Sequence, residues 1–160
     1  MSFERTEGEI SATYRPLAAP DFVGPSAATT FVALGSLTHR QFGIFRRDMK
    51  PHSGGPDAHV HLTFSESFYV LEGLVRVYDG RDWVEAKAGD FLYGPKGGIH
   101  AFNAHSDEPA SMLILYAPGK ARENFVRERE EIRASGRKLT DNEWAEFFAR
   151  HDQYNIGGWT

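Results

Sequence analysis

From Thr29 to Ala117 the chain is cut into short β-prone runs by glycine, proline and Asp-Gly turns, with no helical pattern between them. Thr29 to Leu34 and Gln41 to Met49 are rich in β-branched and aromatic residues and flank Gly35-Ser36-Leu37-Thr38, which reads as strand, turn, strand. Lys50 to Ala58 holds two glycines and two prolines and reads as a loop. Ser67 to Leu71 is a strand closed by Glu72-Gly73. Leu74 to Tyr78 and Trp83 to Ala86 flank Asp79-Gly80, a hairpin signal. After the turn at Lys87-Ala88-Gly89 come strands at Asp90 to Tyr93, Ala101 to Ala104 and Ala110 to Ala117. Nine or ten short strands in this order predict an all-β fold, an antiparallel double-sheet jelly roll over residues 29–118.

The flanks differ in composition. Residues 1–28 carry Pro16, Pro20 and Pro25 and read as an irregular N-terminal arm with one short strand near Ile10 to Tyr14. Such an arm either packs on a neighbouring subunit or stays mobile. Residues 119–160 read as a C-terminal helical tail. In Lys120 to Ala134, Ala121, Phe125 and Ile132 share a narrow helical face, and Gly136 stops the helix. Thr140-Asp141-Asn142-Glu143 is a capping box, followed by Trp144, Phe147 and Phe148 at helical spacing. Both helices are expected to cover the barrel or to reach a partner subunit.

At 160 residues, one domain is expected. A net charge of −4 gives no electrostatic reason to bind nucleic acid, and the run Arg127 to Glu131 is a solvated helix face. With no cysteine, thiolate metal sites and disulfides are excluded. No apolar stretch approaches the ~20 residues of a membrane span, and no signal peptide is visible, so a cytoplasmic location is expected.

The chemistry concentrates in His59, His61, Glu66 and His100. In a strand the imidazoles of His59-Val60-His61 point to one face. Glu66 follows after a polar bend, and His100 arrives on the loop Gly94 to Gly98. One isolated histidine is usually structural, but three nitrogens and a carboxylate meeting at a point suit one divalent transition metal, whether Fe, Mn, Ni, Co, Cu or Zn. Glu66 is the ligand that could leave the metal and act as a base, so it is also the predicted catalytic residue. Among the other histidines, His52 lies in the Gly/Pro loop and reads as solvent-facing, and His105 shares parity with neither His100 nor Phe102. Phe68 and Val70 share parity with Glu66, and Phe102 with His100, so these three are candidates for the pocket wall.

The phrase Gly54-Gly55-Pro56-Asp57-Ala58-His59-Val60-His61, then Glu66 and Gly73, resembles the first motif of the cupin superfamily. Gly89, Pro95, Gly97, His100 and Asn103 resemble its second motif, and the likeness covers roughly residues 30 to 117. The opening glycine of the pattern falls here on Ser53, and the closing Asn usually sits one residue beyond Asn103. The resemblance implies a double-stranded β-helix, the cupin jelly-roll barrel, with a divalent metal on His59, His61, Glu66 and His100. Within the superfamily the chain is most similar to single-domain bacterial proteins of the quercetin dioxygenase-like group. That likeness implies oxidative cleavage of an aromatic or enolic small molecule such as a flavonol. Two alternatives stay open: a non-redox isomerase or polyketide cyclase, and a non-catalytic cupin that binds a small ligand. A homodimer is expected from the arm, the tail helices and an exposed sheet face.

Overall fold

The computed structural model describes residues 12–16 and 28–157. Residues 12–16 form no regular element, and the rest of the predicted strand near Ile10 lies outside the described residues. Ten strands and two helices follow in chain order. They are β1 (Ala28–Ala33), β2 (Gly43–Met49), β3 (His59–Val60), β4 (Ser65–Glu72), β5 (Leu74–Tyr78), β6 (Trp83–Lys87), β7 (Phe91–Gly94), β8 (Ala101–Asn103), β9 (Ala110–Ala117), α1 (Arg122–Ala134), α2 (Asp141–Arg150) and β10 (Tyr154–Asn155).

Five strands pair in the order β1-β2-β9-β4-β7, all antiparallel. A second layer has the order β6-β5-β8, and β3 pairs with β10. One bridge, His59 to His100, ties β3 to the residue just before β8. The fold is the expected double-stranded β-helix, with two helices after the barrel. The near-continuous apolar run of β9 is explained by its place between β2 and β4 in the middle of the larger sheet.

The core lies between the layers. Phe45, Phe68, Val70, Met112, Ile114 and Tyr116 come from the larger sheet, and Val75, Val77 and Phe102 from the smaller. Each fully buried aliphatic or Phe side chain contributes about 1.5–3 kcal/mol relative to exposure. The Asp79-Gly80 turn forms as expected. The Asp79 carboxylate accepts from the amides of Arg81 and Asp82, and Gly80 takes a φ of 96°.

The loop before β3 is held close to β8. A Cβ placed on Gly55 would lie 1.6 Å from the carbonyl oxygen of Phe102. This glycine is therefore needed for close approach as well as for a turn.

The capping box at Thr140 forms: its hydroxyl accepts from the Glu143 amide, and Glu143 accepts from the Thr140 amide. Phe125 of α1 stacks on Phe147 of α2 with ring centroids 5.4 Å apart, and Val126 packs on the barrel core. Ala121, assigned to the apolar helix face from its spacing, is exposed and precedes the helix. In its place the first turn buries Arg122. The strand β10 carries no sequence signal of its own, because two residues are too few for a period.

Candidate metal centre

The four candidate ligands arrive on three elements. His59 and His61 come from β3 and the residue after it, Glu66 from the start of β4, and His100 from the loop before β8. His59 and His100 exchange both backbone hydrogen bonds, each 3.0 Å, so their side chains stand directly opposite each other. Their ring centroids are 4.4 Å apart. All four residues are at least 97% buried, and one ligand atom from each lies within 4.8 Å of the others.

Each imidazole is oriented through its outer nitrogen. Nδ1 of His59 lies 2.8 Å from the Asp57 carbonyl, Nδ1 of His61 lies 2.5 Å from the Asp152 carbonyl, and Nδ1 of His100 lies 3.0 Å from the Gly98 carbonyl. A carbonyl only accepts, so in each ring Nδ1–H is the donor, and the inward Nε2 offers a lone pair to a metal whenever the ring is neutral. Nε2 of His61 stands 2.7 Å from Oε2 of Glu66, and Nε2 of His100 stands 3.4 Å from the same oxygen. A carboxylate oxygen and two ring nitrogens that close need a metal ion or a proton among them. Nε2 of His100 is buried without any hydrogen-bond partner. These features fit a divalent cation, and the donor set of imidazoles and a carboxylate suits a first-row transition metal.

The electrostatics agree. Burial pushes the His59 imidazolium down to about 3, only partly opposed by the Glu66 charge, so this ring stays a neutral ligand. Burial would raise the Glu66 carboxyl, but the neighbouring His100 and His61 rings outweigh it and hold it well below the usual range. Burial would likewise lower His100, and Glu66 reverses the direction and raises it.

Beside these residues lies a cavity of about 200 Å³. His59, Glu66, Phe45, Phe102, Ile114 and Tyr116 line it, and Arg47 and Arg122 also face it. Of the three wall residues expected from strand parity, only Phe102 lines the cavity. Phe68 and Val70 do share the Glu66 face, but β4 carries them away from the cavity at ~3.3 Å per residue. Both are sealed in the core, where the Phe68 ring lies 5.7 Å from that of His100. His52 and His105 are exposed and remote from the four ligands, with His52 bonded to Asp107.

Sequence reasoning missed the contribution of the tail. Arg122, Phe125, Gln153 and Asn155 all line the cavity. Asp152 supports the His61 segment twice. Its carbonyl meets Nδ1 of His61, and its carboxylate accepts from the amides of Leu62 and Thr63.

The sequence of residues 45–116 matches the cupin domain family. The barrel has the cupin fold. No curated protein sequence matches the chain closely. Solved structures share the cupin fold at low identity. KdgF from a Halomonas species is 15% identical with a TM-score of 0.60, over 71% of this chain and 99% of its own. An RmlC-like cupin from Shewanella frigidimarina is 18% identical with a TM-score of 0.58, over 72% and 96%. The polyketide cyclase RemF from Streptomyces resistomycificus is 19% identical with a TM-score of 0.50, over 59% and 67%. No helix among the described residues is long and apolar enough to cross a membrane.

Proposed function

We propose that this cupin is a metal-dependent enzyme of dioxygenase type acting on an aromatic or enolic small molecule. The supporting observation is the convergence of three imidazoles and the Glu66 carboxylate, with His59 and Glu66 lining a cavity that Phe45, Phe102 and Tyr116 also line. A divalent metal held by His59, His61, Glu66 and His100 would supply Lewis acidity and a place to activate dioxygen.

The chain's own residues do the rest. Glu66 is anionic at neutral pH and faces the cavity, so it can take the hydroxyl proton of an enol or phenol at Oε2. That oxygen stands 2.7 Å from Nε2 of His61 and 3.4 Å from Nε2 of His100, where a shared metal would hold all three. The aromatic wall excludes water and orients a flat ring edge-on to Glu66.

A non-redox isomerase or cyclase is the second reading. It is favoured by Arg122, whose buried guanidinium faces the cavity and could stabilise an enolate without any oxidant. The likeness of fold to a polyketide cyclase is compatible with it. Oxygen uptake separates the two. Protein reconstituted with Fe, Mn, Ni, Co or Cu is offered a panel of flavonols, diketones and small aromatic or enolic acids. Uptake with any of them supports the dioxygenase. Turnover with zinc in the absence of oxygen supports the second reading instead.

A further inference from the structure

We propose that the substrate carries a carboxylate, which Arg122 and Arg47 bind while its reactive end faces Glu66 and His59. The inference names the substrate class of the site above and rests on that reading.

Buried cations are normally paired with carboxylates. Those of this cavity are not. Arg122 is 94% buried, and its hydrogen bonds go to neutral oxygens: the His151 carbonyl at 3.2 Å, Oε1 of Gln153 at 3.2 Å and the Tyr116 hydroxyl. Its Nε is buried with no partner. Arg47 donates to the Thr29 hydroxyl at 3.0 Å, and its Nε is likewise buried and unpartnered. Arg129, a third cation on the same cavity, adds to the like charge and acts repulsively on Arg47. Asp48 and Glu130 attract Arg47, but among the described residues neither forms an ion pair with it, and none is formed by Arg122 or Arg129. A guanidinium offers five N–H donors in a planar fork that matches a carboxylate. The unsatisfied charge and donors call for an anion.

The site is built in advance. The Arg122 guanidinium rests 4.0 Å over the Phe125 ring, with Gln153 fixing its other edge. Gln153 is itself held by Asn155 at 3.2 Å. Little side-chain freedom is left to lose on binding. Arg122 and Glu66 line one cavity of about 200 Å³, less than the ~300 Å³ at the low end for drug-sized ligands. The ligand is therefore a small organic acid, held by its carboxylate at the arginines and by its reactive group at the other end.

Calorimetric titration of the metal-loaded protein tests this with two acids, acetate and benzoate, and their neutral amides, acetamide and benzamide. At least one acid is expected to bind at least ~10-fold tighter than its amide. Arg47→Gln is expected to weaken that acid ~10-fold or more, with metal content per chain unchanged. Arg122→Gln should do the same, and if it folds poorly Arg47→Gln carries the test alone. Equal binding of acid and amide overturns the proposal, as does no binding by either acid. So does an acid affinity that Arg47→Gln leaves unchanged, since the acid would then sit on the metal. Arginine-dependent acid binding by a protein that takes up no metal supports the carboxylate subsite and overturns the metal-enzyme reading instead.

Discussion

His61 and Asp152, 91 residues apart in the chain, meet 2.5 Å apart at the imidazole Nδ1 and the backbone carbonyl oxygen. This contact fixes the tautomer and ring plane of His61. It also makes the stretch after α2 part of the metal centre. Asp152 holds a left-handed φ of 55°, which turns its carbonyl toward the barrel after the helix ends. Its carboxylate grips the backbone of Leu62 and Thr63.

Asp152→Gly isolates the carboxylate, because glycine accepts the positive φ and keeps the carbonyl. The variant is expected to lose about 0.5–1.5 kcal/mol of stability for each bond, since Leu62 and Thr63 are exposed and water takes the place of the acceptor. Metal affinity should fall about 10-fold through a looser His61. Thermal melts with and without metal, together with a metal titration, check both.

Gly94 sits directly opposite Glu66 in the β4–β7 pairing. A Cβ there would lie 2.6 Å from the Glu66 carbonyl oxygen and 3.5 Å from Nδ1 of His100. Gly94→Ala should therefore push β7 off β4 at the ligand itself. The expected cost is about 1–3 kcal/mol, with weakened metal binding, read from denaturant unfolding and metal content.

Glu66→Gln keeps three imidazoles but removes the anion and the base. It is expected to retain metal with reduced affinity and to lose turnover by at least about 100-fold. His59→Ala removes a ligand whose place no neighbour can fill, and the purified protein should contain little metal. Elemental analysis of both variants decides the matter.

Acid should weaken metal binding. His100 is raised by Glu66, so below its folded value the ring keeps a proton that the metal must displace. Affinity is therefore full above that value and is lost as the pH falls through it, by about tenfold per unit for one competing proton. Burial lowers His59 to about 3, so this ring adds no proton competition above that pH. Titrations in buffers of different ionisation enthalpy should show a proton released on binding.

The outer face of β4 and β7 carries Tyr69, Phe91 and Tyr93, exposed by 44%, 62% and 61%. Tyr69 is opposite Phe91 in the ladder, so the aromatics form one patch at the sheet edge. We propose that this patch is the contact face of a homodimer. Light scattering should give a dimer mass that Phe91→Asp reduces to a monomer, whereas a monomeric wild type would rule the pairing out.

Much of this molecule was legible along the chain. Turn residues at Gly73, Asp79-Gly80 and Gly89 mark the strand ends, because few residues tolerate those backbone angles. His59, His61, Glu66 and His100 stand at spacings that a two-residue strand period can bring together. Other assignments failed for a physical reason. Strand parity tells which face Phe68 and Val70 occupy, but not whether that part of the face meets a cavity or a core. Helical spacing put Ala121 on the buried face of α1, where the structure buries Arg122 instead.

The sequence by itself determined the barrel and the four residues of the candidate metal centre, since both follow from local periodicity and from the donor chemistry of particular side chains. Only the tertiary structure decided what surrounds the ligands. It brought Asp152 to His61 and set Arg122 and Gln153 at the cavity beside Phe102. Such contacts join residues distant in the chain, and they depend on how a helix and a two-residue strand dock on the barrel. No local pattern encodes that docking, because it is fixed by packing summed over the whole interface.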